Sequence, residues 1–130
     1  MSKKVLIVDD EPNILMSVEF LMRREGYEVA TAADGQEAID LLGEFRPDLM
    51  ILDVMMPRKN GFEVCAEVRG DARLSAMPIL MLTAKGREAE MKKGLSLGAD
   101  AYITKPFSTH ELVLKVNELL VRGALEGPEP

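Results

Sequence analysis

Short, wholly apolar runs alternate along this chain with longer stretches whose apolar residues recur every three or four positions, and the alternation is repeated five times. Val5 to Val8, Leu49 to Leu52 and Ile79 to Leu82 show no polar alternation, which predicts strands covered on both faces, as in a parallel sheet. Between them, Ile14, Val18, Leu21 and Met22 recur at helical spacing from Pro12 to about Glu25, where Gly26 stops the helix. A strand from Glu28 to Ala32 follows. Asp34 then reads as an N-cap with Glu37 three residues on, ahead of the stripe Ala38, Leu41, Leu42 and Phe45.

Beyond Asp53, Asn60-Gly61 reads as a turn, and Phe62, Cys65 and Val68 mark a short helix that ends at Gly70. A charged helix with few large apolar residues, from roughly Gly86 to Leu97, predicts a loosely held element closed by Gly98. Ala101 to Thr104 is the fifth strand. Ser108-x-x-Glu111 resembles a capping box ahead of the stripe Leu112, Val116, Leu119 and Leu120, with an end near Gly123. Five β-α units with short right-handed connections predict an α/β fold, a doubly wound (βα)5 three-layer sandwich on a five-stranded parallel sheet.

Composition narrows the function classes. At 130 residues the chain is one ordinary domain. With 22 Asp+Glu against 16 Lys+Arg it carries a formal charge of -6, which disfavours direct nucleic-acid binding. A single cysteine, Cys65, and no apolar run of spanning length point to a cytoplasmic protein with no membrane association. Cys65 shares a helical stripe with Phe62 and Val68, so it reads as core, like the nine methionines. His110 reads as a surface residue at a helix start.

All strands of such a sheet end on one edge, where ligands bind. That edge collects Asp9, Asp10, Asp53, Thr83 and Lys105. Two carboxylates about 6 Å apart repel by roughly 3 kcal/mol at an effective dielectric of about 20, so three of them call for cationic compensation. Lys105 supplies one charge, and a hard divalent cation, Mg²⁺ first among them, would supply the rest. Phosphoryl transfer onto a carboxylate uses these parts, with Asp53 as nucleophile and Thr83 binding a phosphoryl oxygen.

Val8-Asp9-Asp10-Glu11, Ile51-Leu52-Asp53-Val54-Met55-Met56-Pro57 with Asn60-Gly61, Leu82-Thr83-Ala84, Gly98-Ala99-Asp100-Ala101-Tyr102 and Lys105-Pro106-Phe107 together resemble the response-regulator receiver domains of bacterial two-component signalling, over about residues 4 to 122. The resemblance implies a chemotaxis-regulator-like, flavodoxin-like fold with strand order 2-1-3-4-5. It implies Asp53 as phosphoacceptor, and a Mg²⁺ site, for which Mn²⁺ could substitute, of Asp9, Asp10, Asp53 and the Met55 backbone carbonyl. It also implies Thr83 and Tyr102 as a switch pair, and Lys105 on the phosphoryl group beside a cis bond to Pro106. The resemblance further implies that Met55 and Lys85 occupy positions that, in the family, flank the phosphoryl group and tune its lifetime.

The implied partners are a sensor histidine kinase or histidine phosphotransfer protein, and an output partner or domain on the face of the fourth helix, fifth strand and fifth helix. The chain would be a switch that catalyses only its own phosphorylation and dephosphorylation. Ala101 and Lys115 stand where the winged-helix branch of the family carries an acidic residue and an arginine, so a monomer or weak phosphorylation-dependent dimer is expected. Residues 1–123 would form the receiver, and 124–130 a disordered tail or the start of a linker. Two other classes stay open: an aspartyl-phosphate hydrolase of the haloacid dehalogenase type, and a receiver-like scaffold that is never phosphorylated. The former usually has a second Asp where this chain has Met55. The latter gains nothing from clustering repelling carboxylates.

Overall fold

A computed structural model describes residues 2–84 and 88–125, with backbone alone for 122–125. Lys85, the expected helix start at Gly86 and the tail at 126–130 lie outside the described residues. In chain order the elements are β1 (Lys4–Val8), α1 (Pro12–Arg24), β2 (Glu28–Ala32), α2 (Gly35–Phe45), β3 (Leu49–Asp53), α3 (Gly61–Arg69), β4 (Ile79–Ala84), α4 (Glu88–Ser96), β5 (Ala101–Lys105) and α5 (Thr109–Leu125). The five strands form one parallel sheet in the order β2-β1-β3-β4-β5.

Residues of alternating parity feed two cores, because successive side chains in a strand point to opposite faces. Val5, Ile7, Leu49, Ile51, Leu80, Leu82 and Ile103 pack with Val18, Leu21, Met22, Leu112, Val116, Leu119 and Leu120 of α1 and α5. Leu6, Val8, Met50, Leu52, Ile79 and Met81 pack with Ala38, Leu42, Val64, Cys65 and Val68 of α2 and α3. Both faces are therefore dry, which explains the unbroken apolar runs. Each fully buried Leu or Ile contributes roughly 1.5–3 kcal/mol relative to exposure.

Local chemistry sets the helix ends. Pro12 opens α1 behind Glu11, which is extended at the N-cap but makes no side-chain capping bond. The Asp34 side chain accepts from the Glu37 N–H at 2.8 Å, as the sequence predicts. Asn60 and Glu63 close a full capping box at the start of α3, where the sequence reading has only a turn. Gly26 and Gly98 take φ of 92° and 109°, the left-handed region that favours glycine. Helix α5 continues to Leu125, past the expected stop at Gly123, since one glycine costs about 1 kcal/mol in a helix interior and Ala and Leu on its far side favour helix. Gly94 is the one buried residue of α4 among those described, in keeping with a lightly seated helix. A Cβ there would meet Met81 Sδ at 2.5 Å, so the helix approaches β4 closely at that point.

Candidate functional site

Register carries the acidic residues to one edge. Val8 pairs with Leu52, so Asp9 and Asp10 lie one and two residues beyond β1 beside Asp53 at the end of β3. Asp53 pairs with Leu82, which places Thr83 one step further along β4, and Ala84 pairs with Lys105. Strand parity puts Asp53 and Lys105 on the α1/α5 side, with Ile51 and Ile103, and Thr83 on the opposite side, with Met81. Tyr102 pairs with Met81, so Tyr102 and Thr83 share a face on adjacent strands.

One carboxylate oxygen from each of Asp9, Asp10 and Asp53 lies within 4.8 Å of the others. Asp9 is fully buried, Asp53 is 6% exposed and Asp10 is exposed. Lys105 Nζ stands 2.8 Å from Asp9 Oδ2, 3.1 Å from Glu11 Oε1 and 3.3 Å from Asp53 Oδ1. Of these three contacts only the one to Glu11 has the alignment of a hydrogen bond, leaving Asp9 Oδ2 buried with an ion pair but no aligned donor. The other Asp9 oxygen accepts from the Glu11 N–H at 3.0 Å.

One ammonium among four carboxylates leaves the site short of positive charge. Burial first, and the Asp9 charge second, push the Asp53 carboxyl from 3.8 up to about 7, against the opposing pull of Lys105, with Asp10 adding a further upward push. Burial on its own would lower Lys105, but Asp9, Asp53 and Glu11 together drive it above its ordinary value, so it stays charged. Three converging hard oxygen donors, one of them buried without an aligned donor, fit a small divalent cation.

The Thr83 hydroxyl is buried and has no hydrogen-bond partner. Tyr102 is 40% exposed, and Met55, on the connection from β3 to α3, has an exposed side chain. The Lys105–Pro106 peptide is cis. Two contributors escape the sequence reading. Glu11 joins Lys105 across the sheet edge. Gly61 sits against the backbone at the end of β3, where its N–H donates to Val54 O at 2.8 Å and a Cβ would lie 2.4 Å from Asp53 O. A glycine directly after an N-cap residue was the available signal for the second; no local signal marks the first. Cys65 is core, with burial pushing its thiol up, and His110 is exposed.

The family model for the response regulator receiver domain matches residues 5–117. Among solved structures, a protein from Chloroflexus aurantiacus J-10-fl assigned as a response regulator is 38% identical, with a TM-score of 0.91 over 94% of this chain and 100% of that one. The chemotaxis response regulator CheY4 of Vibrio cholerae is 37% identical, with a TM-score of 0.86 over 92% of this chain and 99% of its own. The signal receiver domain of a signal transduction histidine kinase from Syntrophus aciditrophicus is 31% identical, with a TM-score of 0.88 over 98% of this chain and 96% of that one. A shared strand order, an acidic edge and a family match across most of the chain converge: this protein belongs to the response regulator receiver domains of two-component systems.

Proposed function

We propose that this receiver is a reversible switch in which Asp53 accepts a phosphoryl group from a phosphohistidine on a sensor histidine kinase or histidine phosphotransfer protein. The observation that carries the reading is the meeting of three carboxylates with oxygens within 4.8 Å of one another and a lysine ammonium 3.3 Å from the central one. An Asp53 oxygen attacks phosphorus as the P–N bond breaks, and the departing imidazole keeps the electron pair and takes a proton from solvent. A Mg²⁺ ion held by Asp9, Asp10, Asp53 and the Met55 backbone carbonyl, with Mn²⁺ as a substitute, supplies neutralisation of the phosphoryl oxygens when bound. Lys105 balances a further oxygen from the β5 side.

The lone buried hydroxyl of Thr83 supports its role as donor to a phosphoryl oxygen. Drawn inward, it vacates space on the face it shares with Tyr102, and the exposed tyrosine turns into it. Helix α4, seated through Gly94, shifts with them. Leu95, Tyr102 and Leu114 are exposed apolar residues on α4, β5 and α5, and they support this face as the surface read by an output partner. The unit from β1 to α5 acts as the phosphoacceptor in the cytoplasm. Its chemistry is confined to its own phosphorylation and dephosphorylation.

Two-dimensional NMR with Mg²⁺ and beryllofluoride tests the switch. The backbone amides of Thr83, Tyr102 and α4 should shift together on saturation. Saturation at Asp53 that leaves Thr83 and Tyr102 unmoved would contradict it.

A further inference from the structure

Glu11 holds the N-cap position of α1, where a short side-chain oxygen normally satisfies a free helix N–H, yet its carboxylate makes no such bond. It reaches instead to a residue 94 positions away and accepts from Lys105 Nζ at 3.1 Å. This well-aligned hydrogen bond stands beside a shorter contact of the ammonium to Asp9 Oδ2 at 2.8 Å and a longer one to Asp53 Oδ1 at 3.3 Å. The Glu11 side chain is 60% exposed while those of Asp9 and Asp53 are buried, so the three anions hold the ammonium from the solvent side and from beneath. The Glu11 backbone N–H meanwhile fixes Asp9 Oδ1. One residue thus touches two groups of the site, through main chain and side chain.

We propose that Glu11 is a positioning residue that parks the Lys105 ammonium on the solvent side of the acidic cluster and competes for it when an anion occupies Asp53. The inference rests on the phosphoacceptor reading, since Lys105 has something to be released to only if Asp53 carries a phosphoryl group. Loading Asp53 with a tetrahedral anion turns the ammonium toward that anion, and the exposed Glu11 contact is the one given up. Glu11 therefore weakens the loaded state by roughly the worth of an exposed charged hydrogen bond, a factor of about 3 to 5.

A double-mutant cycle separates this from a simple charge effect, because removing any negative charge near the site would also help an anion bind. Beryllofluoride affinity at saturating Mg²⁺ is measured for the wild-type chain, Glu11→Gln, Lys105→Met and the double variant. The expected result is binding about 3- to 5-fold tighter for Glu11→Gln and no further effect of that substitution in the Lys105→Met background. Unchanged affinity in Glu11→Gln, or equal tightening with and without Lys105, overturns the proposal. A wild-type chain that takes up no beryllofluoride at all overturns the phosphoacceptor reading instead, so the two failures are distinct. Thermal melts of unliganded Glu11→Gln should fall only slightly, through loss of this one exposed contact, because the side chain caps nothing in α1.

Discussion

The Lys105 ammonium lies closer to Asp9, at 2.8 Å, than to Asp53, at 3.3 Å. Asp9 is served first. Asp53 is left with its carboxyl raised to about 7 by burial and by its acidic neighbours. A carboxyl that binds its proton more tightly in the folded chain than in the unfolded one makes stability fall as pH rises from about 4 through about 7. The shift corresponds to roughly 4 kcal/mol at about 1.36 kcal/mol per pH unit, and partial solvent screening reduces that to about 2. Urea denaturation at pH 5 and pH 8 captures part of this range and should show wild type losing roughly 1 kcal/mol relative to Asp53→Asn, whose curve should be flatter. Saturating Mg²⁺ should shrink the difference, since it favours the ionised carboxylate.

Lys105 has the opposite sign. Replacing it with Met leaves the fully buried Asp9 without a counter-charge, and removing one member of a buried pair costs about 3–5 kcal/mol. Lys105→Met should therefore unfold at lower denaturant, and added Mg²⁺ should recover part of the loss by taking over the neutralising role. A variant as stable as wild type without Mg²⁺ would show that the ammonium does not balance Asp9.

Gly61 tests how tightly the backbone around Asp53 is packed. Its missing Cβ would stand 2.4 Å from Asp53 O and 2.9 Å from Val54 Cα, both main-chain atoms that cannot rotate away. Gly61→Ala should cost at least about 2 kcal/mol in chemical denaturation by overpacking and should slow phosphoryl uptake by displacing Asp53. Gly43→Ala, where a Cβ meets nothing within 4 Å on an exposed turn of α2, should be neutral or mildly stabilising.

Arg69 ties the far end of the sheet together. Its guanidinium donates to Gly98 O at 2.8 Å, Met77 O at 2.7 Å, Ser75 O at 3.1 Å and Asp100 Oδ2 at 2.8 Å, and Asp100 Oδ2 also accepts from the Ile79 N–H. Arg69→Met strands several of these acceptors and should destabilise the chain by about 2–3 kcal/mol, with Arg69→Lys recovering little because an ammonium cannot reproduce the fork. Hydrogen exchange should rise first at the 70–78 connection and at Gly98.

How far such features can be read from sequence depends on how local they are. The unbroken apolar runs report burial on both sheet faces, a tertiary fact written into Val5 to Val8, Leu49 to Leu52 and Ile79 to Leu82. The cap of α2 is legible because Asp34 and Glu37 are three residues apart. The equivalent box at Asn60 and Glu63 is hidden by Gly61, which signals a turn locally but is demanded by the approach to Asp53. The Arg69 clamp spans connections of up to 31 residues and the Glu11 contact spans 94, so neither leaves a periodic or spacing signal. Asp9, Asp10, Asp53, Thr83 and Lys105 were legible because strand ends must converge on one edge, whereas the ammonium's preference for Asp9 over Asp53 was not.

The central claim, that Asp53 is the phosphoacceptor, is met most directly by intact mass measurement and peptide mapping after incubation with acetyl phosphate and Mg²⁺. The account predicts an increase equal to one phosphoryl group, mapped to Asp53, dependent on Mg²⁺ and absent from Asp53→Asn. Phosphoryl incorporation that persists in Asp53→Asn, or a wild-type chain that stays unmodified under conditions where Mg²⁺ binds, would contradict it.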